Sequence, residues 1–269
     1  MSESTRRIKL WRLARKRIAE AADKRDNLIT IHYSCESFYD RPNGESPRIT
    51  SIAVRRIESA QTVSFSIHQL AEGDKKLSIQ DIKDNYDSLE KKMLKEFYEY
   101  VAKNSKAIWV HWNMRDTTYG FPALAHRYKV LGGRPIDISE SHMIDLARTI
   151  SEIYGKNYIS KHPRLTNLIE LNGISALNFL AGEDEASAFE KGEFVKLHQS
   201  TLRKVDIFAS LFDNTSSGTL KTEATKKDIY GNYFHYFIKL IRTHWFFTLL
   251  TLAGTILGII GAYSWIKPN

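Results

Sequence analysis

One cysteine, Cys35, in 269 residues rules out a disulfide framework, and no Cys/His spacing resembles a zinc site. A single thiol suits a reducing compartment, most simply the cytosol. No stretch of the chain repeats another. No apolar run follows the early basic residues, so no signal peptide is expected. What is present is 42% hydrophobic, 26% charged and 12% aromatic. That composition excludes a disordered chain and a fibrous repeat, and it suffices for one sizeable core with room for a small second module. The mean hydropathy of −0.36 averages two unlike parts.

Asp, Glu, Lys and Arg are all missing from Thr243 to Ile266 (THWFFTLLTLAGTILGIIGAYSWI). This is about the length that crosses a hydrocarbon core of ~30 Å as a helix. Trp245 stands at one end, Tyr263 and Trp265 at the other, where interfacial aromatics belong. A transmembrane helix over 243–266 is expected, and because only Lys267, Pro268 and Asn269 follow, it reads as a tail anchor. Lys226, Lys227, Lys239 and Arg242 precede the span, so the positive-inside rule keeps the N-terminal part cytoplasmic. Gly254 and Gly258, with Gly261 nearby, form a small-xxx-small face that would bring two anchors together as a homo-oligomer.

The first 17 residues carry Arg6, Arg7, Lys9, Arg12, Arg15, Lys16 and Arg17 against Glu3 alone, a net +6 of the total +8. Ile8, Trp11, Arg15 and Ile18 lie at helical spacing, with Leu10 and Leu13 widening the stripe. A basic amphipathic helix over 1–26 is expected. It can lie on anionic headgroups, contact nucleic-acid phosphates, or pack on the domain through Trp11 and Leu13.

In the middle, Leu28–Ser34, Ile49–Val54 and Thr62–Ile67 read as three strands of an antiparallel meander. Asn43-Gly44 and Pro47 punctuate the loop between the first two. Ile82, Tyr86, Leu89, Met93, Phe97 and Val101 predict one long helix, and Ala107–His111 a buried fourth strand. Helical patterns follow at Phe121–Leu131, Met143–Tyr154, Leu165–Leu171 and Phe194–Phe212, with Pro163 suited to a first turn. The polar stretch from Asp213 to Asp228 reads as a linker within a 213–242 juxtamembrane segment. The expected fold is α/β with a mixed sheet, carried by residues 27–212.

This order resembles the RNase H-like fold of DEDD-type 3′–5′ exonucleases, in which four carboxylates hold two divalent metals. Ser34-Cys35-Glu36 stands where that family has Asp-x-Glu, so the glutamate is kept and the aspartate is not. His111-Trp112-Asn113-Met114-Arg115-Asp116 resembles the second motif. Met143–Arg148, Leu165–Leu168 and Asn172–Ile174 resemble connecting segments, and His198 fits the last motif with Arg203 in its acid position. The resemblance implies Glu36, Asp116 and His198 as the catalytic set, with Glu36 and Asp116 holding Mg²⁺ or Mn²⁺ if the domain is active and no cofactor otherwise. It implies Ser34, Trp112, Asn113, Arg115 and Arg203 as ligand contacts, Trp112 offering a stacking face and Arg203 meeting a phosphate or salt-bridging Glu36 or Asp116. The acidic run Glu183-Asp184-Glu185 reads as an exposed helix start.

Exchanging two acids for Ser34 and Arg203 removes two negative charges and adds a positive one, which weakens any two-metal site. The expected function is a membrane-anchored, catalytically degenerate exonuclease-like domain binding nucleic acid or nucleotide as a sensor or effector. Its architecture resembles that of small tail-anchored proteins of bacterial antiphage defence. An active metal-dependent 3′–5′ nuclease and a membrane-tethered protein-binding scaffold are the alternatives.

Overall fold

A computed structural model describes residues 3–37, 46–74, 78–225, 228–229, 237–238 and 245–266. The expected loop signal at Asn43-Gly44 and the basic residues Lys226, Lys227, Lys239, Arg242 and Lys267 lie outside them. The sheet is built on β1 (Leu28–Cys35), whose eight residues are all buried. Both faces are covered, yet one is apolar and the other carries the polar Thr30, His32 and Ser34. Ile29, Ile31 and Tyr33 join the core under α4 (Tyr86–Lys103). On the opposite face, Thr30 donates to the Val205 carbonyl of α9 (Phe194–Ser217) at 3.0 Å.

β2 (Ile49–Arg56) pairs antiparallel with β1, and β3 (Thr62–Ser66) antiparallel with β2. β4 (Ile108–His111) pairs parallel with β1, and β5 (Met143–Asp145) parallel with β4. The order β3-β2-β1-β4-β5 makes a five-stranded mixed sheet, an α/β fold consistent with the RNase H-like expectation. The meander and the fourth strand are as expected; the fifth is not. Met143–Asp145 was expected to begin a helix, but three residues are too few to show alternation and α6 (Leu146–Tyr154) starts directly after them. The helix expected from Ile82 to Val101 is also split, into α3 (Ile79–Asp84) and α4, at Asn85. In between, α2 (Ile67–Asp74) follows β3, while α5 (Phe121–Val130) carries the chain from β4 to β5. α7 (Arg164–Leu171) and α8 (Gly182–Glu190) precede α9.

α1 (Glu3–Ala22) buries Ile8, Ala14, Ile18 and Ala21 and packs on α6 and α9. Arg7 donates to the Glu152 and Ile153 carbonyls at the C-terminal end of α6, where a cation meets the negative end of the helix dipole. The apolar stripe of the basic helix is therefore used for packing on the domain; Leu13, expected to share in it, is 46% exposed.

α9 runs past Phe212 to Ser217 and ends at Gly218, whose φ of 76° forms a left-handed cap. The first part of the expected linker is thus helix. Beyond it, Lys221 N donates to Asn172 Oδ1 (2.9 Å), Glu223 N to the Tyr158 carbonyl (2.8 Å), and Ser160 N to Glu223 Oε2 (2.7 Å). The segment looks like a linker in sequence because it docks mainly through hydrogen bonds, with Leu220 its one buried large apolar side chain among the described residues beyond α9. The C-terminal helix spans Trp245–Ile266, and its described side chains, Thr248 to Tyr263, are all exposed. That stretch rises only ~24 Å, and among the described residues no helix is long and apolar enough to cross a membrane.

Candidate functional site

Ser34 is buried on the α9 face of β1. Its Oγ donates to Glu185 Oε1 at 2.8 Å and lies 2.8 Å from Thr201 Oγ1, which in turn meets Ser51 Oγ at 2.7 Å. Glu185 Oε1 also accepts from Ser200 Oγ (3.2 Å) and from Lys204 Nζ (2.8 Å). Both charged side chains are almost fully buried, Lys204 at 6% and Glu185 at 5% exposure. The expectation of an exposed acidic run fails at Glu185: α8 does start there, but the third acid points inward. A fixed ammonium thus sits against the lone carboxylate beside Ser34, and it belongs to Lys204 rather than to Arg203.

The other expected site residues go elsewhere. The register of β1 against β2 shifts between Ser34 and Cys35, and such a bulge turns the following side chain off the face its alternation predicts. Glu36 accordingly pairs with the edge of β2: its backbone N donates to the Arg48 carbonyl (2.8 Å), and its Oε2 accepts from Arg48 N (3.3 Å). Asp116 is exposed, its Oδ1 accepting from Thr117 N at 2.7 Å in a local turn. His198 is buried, its ring 4.8 Å from that of His68. Burial, with the neighbouring His68, lowers its pKa to about 4. Arg203 Nε donates to the Ser175 carbonyl (2.9 Å) and Nη1 lies 3.7 Å from Asp206. Trp112 is stacked on Phe208, 6.1 Å between centroids at 16°, so one face of it is already covered.

An Mg²⁺ pair needs several carboxylates converging on one point. Beside Ser34 there is one, and Lys204 neutralises it. Glu36 and Asp116 do not join it, and among the described residues no cluster of three His, Cys, Asp or Glu side chains can hold a metal. The residues present do not fit the metal centre that the family resemblance implies.

The residues that do come together surround a cavity of about 770 Å³ at the carboxyl ends of β4 and β5. Asp145, the last residue of β5, is buried and organises it. Its Oδ1 caps α6 by accepting from Arg148 N (3.1 Å) and also accepts from Asn113 N (3.4 Å), while Oδ2 lies 2.5 Å from Arg115 Nε. Asn113 adopts φ 55°, a left-handed conformation that asparagine tolerates. His111 Nδ1 accepts from Met114 N (3.1 Å), so the ring is held as an acceptor. Burial lowers its pKa to about 4, against the opposing pull of Asp145. The floor is apolar, made of Phe97, Tyr98, Met114 and Phe121, and the rim carries Arg17, Arg115, Lys129 and Arg148, its three guanidiniums each beside a carboxylate. Glu152 ties two rim residues together, its carboxylate 2.9 Å from Arg148 Nε and 3.7 Å from Arg17 Nη1. Asp137 and Glu140 complete the lining.

Of the expected ligand contacts, Arg115 lines this cavity, while Asn113 reaches it only through its backbone N–H on Asp145. Arg17, Asp145 and Arg148 were not anticipated, because nothing local in the sequence joins α1 to α6; the packing of the two helices brings Arg17 to within 3.7 Å of Glu152. The turn from β4 to α5 also depends on Gly120 (φ 153°), where an added Cβ would lie 2.5 Å from the Met114 carbonyl carbon and 2.7 Å from Arg115 N. Gly120→Ala is expected to cost at least about 2 kcal/mol in urea unfolding and to displace Arg115; a wild-type midpoint would show that the turn yields.

No protein-family model and no curated protein matches the chain. Among solved structures, the family B DNA polymerase from the hyperthermophilic archaeon Pyrobaculum calidifontis is similar over 70% of this chain and 24% of its own length, at 16% identity and a TM-score of 0.45. The chain therefore spans about a quarter of the polymerase.

Proposed function

We propose that this chain binds a nucleotide or a nucleic-acid end in the cavity at the carboxyl ends of β4 and β5, using an exonuclease-like fold that does not hydrolyse. The observation that carries the reading is the pairing of an aromatic floor with a rim of three guanidiniums and one ammonium. An open α/β sheet places its ligands outside the carboxyl ends of its strands. An apolar floor with three aromatic rings suits a base, and arginine forks suit a phosphate. Hydrolysis has no support in the geometry, because Glu36 accepts from Arg48 N, Asp116 from Thr117 N, and Glu185 is held by Lys204.

The test is calorimetry and thermal shift with mononucleotides and short single strands. Arg148→Ala and Arg115→Ala should each weaken binding about tenfold or more, the usual worth of a charge-assisted hydrogen bond. If no nucleotide or oligonucleotide at millimolar concentration moves the melting temperature, the binding reading is lost. Mn²⁺-dependent trimming of a labelled strand that Glu36→Ala and Asp116→Ala abolish would favour the active nuclease instead.

A second reading concerns the C-terminal helix. Leu249, Leu250, Leu252, Ile256, Leu257, Ile259 and Ile260 are all at least half exposed, an apolar surface that water does not favour. Over its full 22 residues the helix rises ~33 Å, and we infer that it anchors the domain in a bilayer, where binding in the cavity would act as a membrane-tethered sensor or effector. Flotation of the full chain with phosphatidylcholine vesicles, resistant to alkaline carbonate, is the expected result; a chain that stays at the bottom of the gradient would refute the anchor.

A further inference from the structure

We propose that the outward face of α1 is a docking surface for an anionic lipid bilayer. Packing on α6 and α9 consumes the opposite side of this helix, which leaves Arg6, Lys9, Leu13 and Lys16 exposed. At three- and four-residue spacing they lie on one face. The face is basic from Arg6 to Lys16 with Leu13 as its one large apolar side chain, and it ends at Glu20, 3.6 Å from Lys16 Nζ. Phosphate backbones reward the cations alone, whereas a headgroup layer rewards the cations and accepts the leucine at the acyl boundary.

The proposal stands on the charge and exposure of this face and is independent of the anchor reading.

The only cysteine, Cys35, is buried, so Leu13→Cys in the full chain can carry a nitrobenzoxadiazole label whose emission reports immersion in a headgroup layer. Emission should shift to the blue with phosphatidylserine-rich vesicles and not with phosphatidylcholine alone, and high salt should reverse it. Arg6→Glu, Lys9→Glu and Lys16→Glu together should abolish the blue shift on the anionic vesicles, with a melting temperature within a few degrees of wild type, because all three are exposed and the Lys16–Glu20 pair is itself a surface one.

Flotation with phosphatidylcholine combined with an unresponsive label on anionic vesicles overturns the docking surface and leaves the anchor intact. A blue shift on anionic vesicles without flotation on phosphatidylcholine supports the surface and removes the anchor. Binding to neither removes both. A label that responds to a single-stranded oligonucleotide and not to phosphatidylserine overturns the lipid assignment in favour of nucleic acid.

Discussion

Lys204→Ala will lower the unfolding free energy by about 3–5 kcal/mol, the cost of stranding one member of a buried ion pair. Glu185 accepts from Lys204, Ser34 and Ser200 through a single oxygen, and at 5% exposure water cannot replace the ammonium. Two hydroxyls do not compensate a full negative charge in that setting. The loss will appear as a lower urea midpoint at unchanged slope. Combining Lys204→Met with Glu185→Gln should recover most of it, because the neutral amide still accepts from the two serines and no charge is left buried. A double-mutant cycle isolates the coupling. A loss below about 1 kcal/mol in Lys204→Ala, well under the range for a buried pair, would mean that the ammonium is not what balances Glu185.

Acid will destabilise the protein well above the range in which exposed carboxylates titrate. Burial pushes His198 and His111 down to about 4 and His32 well below the usual imidazole range, with Lys204 adding to the effect on His32. His32 Nε2 and His198 Nε2 are buried with no hydrogen-bond partner among the described residues, so a proton gained there has nothing to stabilise it. Unfolded imidazoles titrate near 6.5. A folded pKa below the unfolded one means that the stability is fully present above about pH 6.5 and is lost as pH falls toward 4, where the unfolded chain binds more protons. The loss is about 3 kcal/mol for each of His198 and His111 across that window, with His32 adding in the same direction. Urea midpoints measured from pH 7.5 to 4.5 should fall steeply, and His198→Gln should flatten the slope by about one proton. Midpoints constant down to pH 5 would show these rings to be hydrated.

Much of the fold is legible in the chain because period and composition report local burial. The meander appears as three short alternating runs, and β4 as a continuous apolar one. α4 shows through Leu89, Met93, Phe97 and Val101, all buried. Legibility stops where a contact joins distant segments. Glu90 reads as one more charge on α4, yet it is fully buried; Arg127 Nε donates to its Oε1 at 3.0 Å and Ile49 N donates to the same oxygen at 2.8 Å.

The candidate site shows the same limit from the other side. Ser34 and Glu36 are two apart on one strand, so simple alternation puts them on one face, and the family resemblance requires that. The register shift between Ser34 and Cys35 sends Glu36 to Arg48 instead. One residue of bulge is invisible to a period-2 pattern.

By itself the amino-acid order determined the α/β class, the basic amphipathic start and the apolar, charge-free end, since each follows from the residue types within a few turns or a single strand. Only the tertiary structure decided that Lys204 rather than Arg203 faces Ser34, that Glu185 is buried, and that Arg17, Arg115 and Arg148 share a rim. Those outcomes depend on how helices far apart in sequence are rotated about their axes when they pack. A rotation of one residue, about 100°, exchanges a surface charge for a buried one.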